Sequence, residues 1–556
     1  MKRRNFIKKI GFAAGAPLAF QGVPLKLIAS DSRMHRLASQ SSNDNVLVIL
    51  QMHGGNDSLN TFIPIENYSQ YYSKRANIAI PFKSGRRTLI PLDSTVPSAD
   101  QVGVHPDMRD FKDMYDNGMA AVFQGVSYER NNGSHFRGRD IWHMGGGPDD
   151  YFSSGWIGRY LKQEYAPKSY PDDFPNDEMP DPLALEMGNS LSLVFHQENN
   201  IPTSISLDRA PDSLLKKVEG LEGFVDDGID PRGLPPTFLN DSPYGKEMDW
   251  ILGLEDKSEI YIRRLAEIYA KSTETSVTYP DKYPFRADST NPLSKQLKLV
   301  ARLLEGGAKT KVFLVRIGGF DTHADQTEAG DPTVGSHAAL LYHISTAMNA
   351  FQKDLEAKGL ADKVLTMTMS EFGRRVQSNG SYGTDHGTGG ALMLFGKHIN
   401  AGIYGTNPDL NDRNIAMQFD YRQIYAGILN DWMGVDESTL TNDIFFQNFI
   451  TGGTYQPLEL ISSVEDNFLK KHFKISNLHP NPATNYVQIE IQVNDVQPTT
   501  IELINISGSV VKTVFRNLIP GKHNVTFDLS NLPGGIYFIK AKSTKLNDTK
   551  RLFVRK

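Results

Sequence analysis

Hydropathy along the chain changes period near residue 473. Between residues 45 and 460, short and nearly continuous apolar runs recur at 45–52 (NVLVILQM), 119–126 (MAAVFQGV), 311–317 (KVFLVRI), 364–369 (VLTMTM) and 391–395 (ALMLF). A strand with one solvated face alternates apolar and polar residues, so these runs predict strands buried on both faces. Between them, residues 246–271, 293–306 and 337–358 carry apolar side chains at three- and four-residue spacing and predict helices. Strand and helix in alternation predict an α/β domain, a mainly parallel sheet covered by helices on both sides. After 473 the period becomes two (YVQIEIQV, TIELINI, VVKTVF, HNVTFDL, GIYFIKA, RLFVR), which predicts six or seven short strands in a small β-sandwich. Residues 165–181 and 220–245, dense in Pro, Gly and Asp, read as long loops, a lid-like insertion or disorder.

With 556 residues, two or three domains are expected, and the pattern divides the chain into 1–35, 45–460 and 473–556. Arg3 and Arg4 precede an apolar stretch at 10–20 that is too short to span a bilayer, so the first segment is expected to be an export signal, cleaved between about residues 20 and 31. No other run is long and apolar enough to cross a membrane. The chain has no Cys, which excludes disulfides, zinc–thiolate sites, a cysteine nucleophile and iron–sulfur ligation. The net charge of −5 combines five Lys/Arg and no acid in 1–10 with eleven Lys/Arg against five acids in 473–556, which leaves −16 for the part between. Such a body disfavours nucleic acid, whose binding depends on Lys/Arg neutralisation of phosphates, and suits cations.

The candidate chemistry follows the apolar strands. Run 45–52 leads into His53-Gly54-Gly55-Asn56-Asp57, 119–126 into Ser134-His135-Phe136, 311–317 into Gly318-Gly319-Phe320-Asp321-Thr322-His323, and 364–369 into Ser370-Glu371-Phe372-Gly373-Arg374-Arg375, with Thr384-Asp385-His386-Gly387 close behind. Ligands of open parallel sheets bind beyond the carboxyl ends of the strands, so these stretches converge on one edge. A single Asp or His after a strand is more often a turn residue or helix cap. Several carboxylates and imidazoles around one point call for a cation, and oxygen and nitrogen donors suit Zn²⁺, Mn²⁺, Mg²⁺ or Ca²⁺, with imidazole favouring the transition metals. One or two ions are expected.

The segments GGNDSLN, NGSHFRGRDIW, GWIGRYL, GGFDTHADQ, SEFGRRV, GTDHGTGG and DYRQIYAGILNDWMG resemble, in order, the motifs of the domain of unknown function 1501 family over 45–434. That family in turn resembles the alkaline phosphatase and sulfatase superfamily, which uses two metals on a mainly parallel α/β sheet. The resemblance implies that Asp57, Asp321, His323, Glu371 and His386 are metal ligands, that Ser134 at a helix start is the nucleophile, and that Asp385, His53 or His135 substitutes where a ligand is missing. Phe372 stands where the superfamily commonly has His. Two ions about 3.5–4 Å apart would activate Ser134 or a water for in-line displacement at phosphorus or sulfur, and Arg374, Arg375, Arg137 or Arg139 could clamp the non-bridging oxygens. A formylglycine sulfatase is excluded, because the chain has neither a Cys nor a Ser in the required Cys/Ser-x-Pro-x-Arg context.

The opening residues resemble a twin-arginine signal peptide, with an ordinary secretory signal as the alternative. PNPATN from Pro480, then IELINISGSVVKTV and LPGGIYF, closing on a basic end, resemble the type A C-terminal sorting domain of the type IX secretion system. By pattern alone this segment is a basic β-sandwich, which suits carbohydrate binding equally. Together these resemblances imply the twin-arginine translocase and type IX machinery as partners, passage through the periplasm, and an extracellular or cell-surface destination. The expected function is metal-dependent hydrolysis of phosphate or sulfate esters; the alternative is a cell-surface binding protein that kept the fold without the chemistry. A purely structural metal is a third reading.

Overall fold

The computed structural model describes residues 19–20, 23–24, 43–85, 87–188, 190–208, 210, 260–461, 473–493, 497–505, 509–518, 521–542 and 547–556. The expected signal, apart from two short strands at 19–20 and 23–24, lies outside the described residues, as do the loop expected at 220–245 and residues 246–259 of the first expected helix. The chain forms two compact units, 1–460 and 461–556.

In the first unit the strands of the central sheet and of the ribbon beside it are β1 (Val46–His53), β2 (Ala120–Ser127), β3 (Ala184–Met187), β4 (Ser204–Leu207), β5 (Val312–Gly318), β6 (Val364–Met369), β7 (Arg374–Ser378), β8 (Thr384–His386), β9 (Gly390–Phe395), β10 (Gly402–Tyr404) and β11 (Phe419–Asp420). Strands β7 and β8 form a separate ribbon, and the others make a nine-stranded sheet in the order β10-β2-β9-β6-β1-β5-β3-β4, with β11 also beside β2. Every strand of that sheet except β9 runs the same way. The fold is α/β with a mainly parallel sheet, as the apolar runs predict. The four short strands β3, β4, β10 and β11 escape the pattern because two to four residues are too few to set a period.

The central strand β1 lies between β5 and β6, and Leu47 to Leu50 are completely buried. Its even-numbered residues Val48, Leu50 and Met52 join Phe313, Val315 and Ile317 of β5 in one apolar core with the helices Pro292–Glu305 and Ser336–Ala357. Each such side chain contributes about 1.5–3 kcal/mol by leaving water. Odd positions of β1 point to the opposite face. There Gln51 meets His143 of helix α1 (His135–Met144). Helix α1 begins where the Ser134 side chain accepts from the Arg137 amide and ends at Gly145, whose φ of 66° gives the left-handed cap. The expected loop at 165–181 contains turns and bends but neither helix nor strand.

The second unit is a two-sheet antiparallel β-sandwich. One sheet joins Phe473–His479, Tyr486–Val493 and Gly521–Asp528; the other joins Val510–Leu518, Gln497–Asn505, Gly535–Lys542 and Asn547–Val554. Val487 and Ile489 from the first sheet and Ile501, Leu503, Ile539 and Leu552 from the second share its core. Among the described residues no helix is long and apolar enough to cross a membrane.

Candidate metal centre

Beyond the carboxyl ends of β1, β5 and β6, three loops, the start of α1 and the β7–β8 ribbon meet. Buried Phe320 fixes the loop after β5, and its amide donates to the His53 carbonyl at 3.1 Å. Gly54 lets the β1 loop touch the β5 loop: its φ is +125°, and a Cβ there would lie 2.2 Å from the Asp321 nitrogen. Strand β8 brings His386 opposite Arg374 of β7.

Asp321, His135 and His386 each offer a ligand atom, all within 4.8 Å of one another. Around Asp321 Oδ1 stand His323 Nε2 at 3.2 Å, His386 Nε2 at 3.3 Å and His135 Nε2 at 3.4 Å. Tetrahedral ligands about 2.0–2.1 Å from a zinc ion lie about 3.3 Å apart, so the separations of His135 and His386 from Asp321 fit one ion, with His323 beside this group of three. His386 Nε2 and His323 Nε2 are 2.8 Å apart, close enough for hydrogen bonding between the rings when no ion intervenes.

The polarity of the imidazoles fits the same reading. Nδ1 of His386 donates to the Gly133 carbonyl at 2.8 Å, which leaves the Nε2 lone pair facing Asp321. Nδ1 of His135 lies 2.8 Å from Glu371 Oε1 and donates to it, while His135 Nε2 is buried without a hydrogen-bond partner. A histidine held at one nitrogen by a carboxylate or carbonyl, with the other nitrogen free, is the usual arrangement of a metal ligand. Burial lowers the pKa of His386, against the pull of Gly133 and Asp321, and so favours the neutral ring that a metal needs. Burial tends to raise Asp321, but the hydrogen bond and charge of Arg374 prevail and hold it at about 2.

The other expected site residues take distinct places. Glu371, 3 % exposed, accepts from His135 and, at 2.9 Å, from the Gly54 amide, so its contact with the centre runs through His135. Asp385 binds Arg375 at 2.9 Å and lies 3.7 Å from His323 Nδ1. Asp57 is not among the groups around Asp321: completely buried, it forms an ion pair with Arg75 at 2.6 Å and accepts from Gln326 at 2.6 Å. Arg374 is also completely buried; it donates to Asp321 at 2.7 Å and to the carbonyls of Gly54, Gly55, Phe320 and Thr384. These bonds tie the loop after β1, the loop after β5 and strand β8 to β7, and hold Arg374 against Asp321. Arg137 donates to the carbonyls of Pro148 and Asp150. Ser134 caps α1 directly before His135. His53 stacks on His135 with ring centres 6.3 Å apart. The Phe372 ring lies 4.8 Å from His135 and 4.5 Å from His386, where it closes one side of the cluster. His135 was expected only as a substitute ligand; its position next to Ser134 at a helix start was the available sign of a larger part.

The family described as "Protein of unknown function (DUF1501)" matches residues 262–451, which include Asp321, His323, Glu371 and His386. No curated protein matches the chain. Among solved structures, a protein of the alkaline phosphatase superfamily from Vibrio parahaemolyticus is 9% identical, with 86% of this chain and 82% of that one covered at a TM-score of 0.31. A sulfatase from Pseudoalteromonas sp. is 10% identical, with 89% and 86% covered and a TM-score of 0.33. An alkaline phosphatase from the Antarctic bacterium TAB5 is 11% identical, with 71% and 100% covered and a TM-score of 0.26. The "Secretion system C-terminal sorting domain" family matches residues 477–555, and this indicates export to the cell surface or beyond.

Proposed function

We propose that this chain is an exported metal-dependent hydrolase of phosphate or sulfate esters. The observation that carries the proposal is the cluster of Asp321, His135 and His386, with His323 beside it and one imidazole nitrogen of His135 buried without a hydrogen-bond partner. Imidazoles beside a carboxylate favour Zn²⁺ over Mg²⁺ or Ca²⁺. One ion suits the cluster, since Asp57 is engaged with Arg75 and Phe372 adds no donor. When bound, the ion would supply a Lewis acid for the ester oxygens. Glu371 and the Gly133 carbonyl hold the two imidazoles in the ligand tautomer, and Arg374 keeps Asp321 ionised. Ser134 is the proposed nucleophile; its oxygen faces the Arg137 amide at the start of α1, where the helix dipole favours developing negative charge. Export would proceed by the twin-arginine translocase into the periplasm and then by the type IX machinery, with the second unit as its address.

Metal analysis of protein purified without chelator, combined with a panel of p-nitrophenyl phosphate and sulfate esters, tests the proposal. One bound divalent ion per chain and EDTA-sensitive turnover are expected, both lost in His386→Ala. Protein that binds no metal and hydrolyses no ester would refute it and favour the binding-protein alternative.

A further inference from the structure

Beside the metal cluster is a second group of basic side chains. His135, Arg139 and His143 recur at four-residue spacing and form one stripe of α1, with Arg139 about 6 Å along the helix from the ligand His135. Beneath the stripe, β1 and β5 run in register, Gln51 beside Arg316 and His53 beside Gly318, so these four residues share one face of the sheet. His143 reaches Gln51 at 3.5 Å, which sets the stripe above that face. His143 is held down to about 3 by burial first and then by the positive charges of Arg316 and Arg139 and by His196 and His53, so these basic groups gather around it.

Two features of this face suit it to an anion. Gly318 is exposed, and a Cβ built on it meets nothing within 4 Å, so the floor beside His53 is open. Among the described residues, half-buried Arg139 has no carboxylate partner, and the Phe136 ring lies 5.7 Å from its guanidinium. Arg316 pairs with buried Glu186 and donates to Ser190 and Ser192, yet its Nε is buried and unpartnered. A guanidinium with no carboxylate partner, on the stripe above this face and near Arg316, suits an oxyanion.

We propose that Arg139, Arg316 and His53 form a subsite for a second anionic group of the substrate, about one helical turn from the metal cluster. The inference rests on the esterase reading above and narrows it to substrates with two oxyanions, the scissile ester on the metal and a second phosphate, sulfate or carboxylate over Gly318. A charge-assisted contact of this kind corresponds to about tenfold in affinity.

Isothermal titration of the full chain with propane-1,3-diylbisphosphonate and with propylphosphonate tests the subsite. The bisphosphonate should bind about tenfold more tightly, and the ratio between the two probes should fall to about one in Arg139→Gln. Gly318→Leu, which fills the space without changing charge, should abolish the ratio too. Equal affinity for both probes in metal-loaded, active protein would overturn the subsite and leave the esterase reading intact, as would a ratio that survives both substitutions. An Arg139-dependent preference in protein that hydrolyses no ester would support the subsite while the esterase reading fails.

Discussion

Replacing Asp57 by Asn separates a structural role from a ligand role at the residue that sequence resemblance marks most plainly as a ligand. Both members of the Asp57–Arg75 pair are completely buried, and Arg75 also donates to Asn60 and to the carbonyls of Val376 and Arg375. Asn is nearly the same size, but its amide nitrogen must face a donor, either Arg75 or Gln326, and the guanidinium keeps an uncompensated charge. Breaking a buried pair in this way costs about 3–5 kcal/mol, a large part of a typical stability of about 5–15 kcal/mol. All four Trp residues precede residue 461, so urea unfolding followed by Trp fluorescence reports on the first unit. Asp57→Asn should lower the stability by about 3–5 kcal/mol while the folded protein keeps its metal, and His386→Ala should lose the metal with the fold retained. A loss below about 1 kcal/mol together with stoichiometric loss of metal would refute this reasoning and restore Asp57 as a ligand.

Further expectations concern acid, the buried arginine and the ribbon. Burial depresses His143 to about 3 and His337 to about 4, so in the unfolded chain both protonate near 6.5 while the folded protein resists. The stability they support is complete above about pH 6.5 and declines as pH falls toward the folded values, by about 2 kcal/mol each at pH 5; urea midpoints at pH 7.5 and 5 check this, and identical midpoints would contradict it. Arg374→Lys keeps the charge but cannot reach four carbonyls and Asp321 together. Metal affinity should weaken about 10- to 100-fold, the usual effect of losing an outer partner of a ligand, as measured by competition with a chromogenic chelator. Gly383→Ala puts a Cβ 2.4 Å from the His323 carbonyl, so it should displace His323 and weaken metal binding, whereas Gly380→Ala, with open space around it, should leave affinity as in the parent protein.

Much of this architecture is legible in the residues themselves. The five apolar runs mark five strands of the first unit to within about a residue, because strands buried on both faces need continuous Val, Ile and Leu whatever their neighbours. The period-two tail marks the sandwich for the opposite reason: each of its strands has one wet face. Asp321, His323 and His386 are recoverable because they follow strand ends or lie close behind one, and parallel topology sends such residues to a common edge. Strand order and the reversal of β9 are not recoverable in this way, since β9 is as apolar as its neighbours and hydropathy carries no direction.

Which polar groups touch was settled by the tertiary structure. Sequence places Asp57, Glu371 and Arg374 next to the same strands as Asp321, His323 and His386, but partners far along the chain determine their contacts. Arg75 and Gln326 enclose Asp57, His135 stands between Glu371 and the centre, and four carbonyls take up Arg374. A buried charge must find its counter-charge and a buried donor its acceptor, and only the folded chain determines which ones lie within reach. The sequence therefore determined the layers of this protein and the edge where its chemistry gathers. The fold decided that His135 faces Asp321 while Asp57 does not, because a difference of a few ångströms in packing determines which buried groups meet.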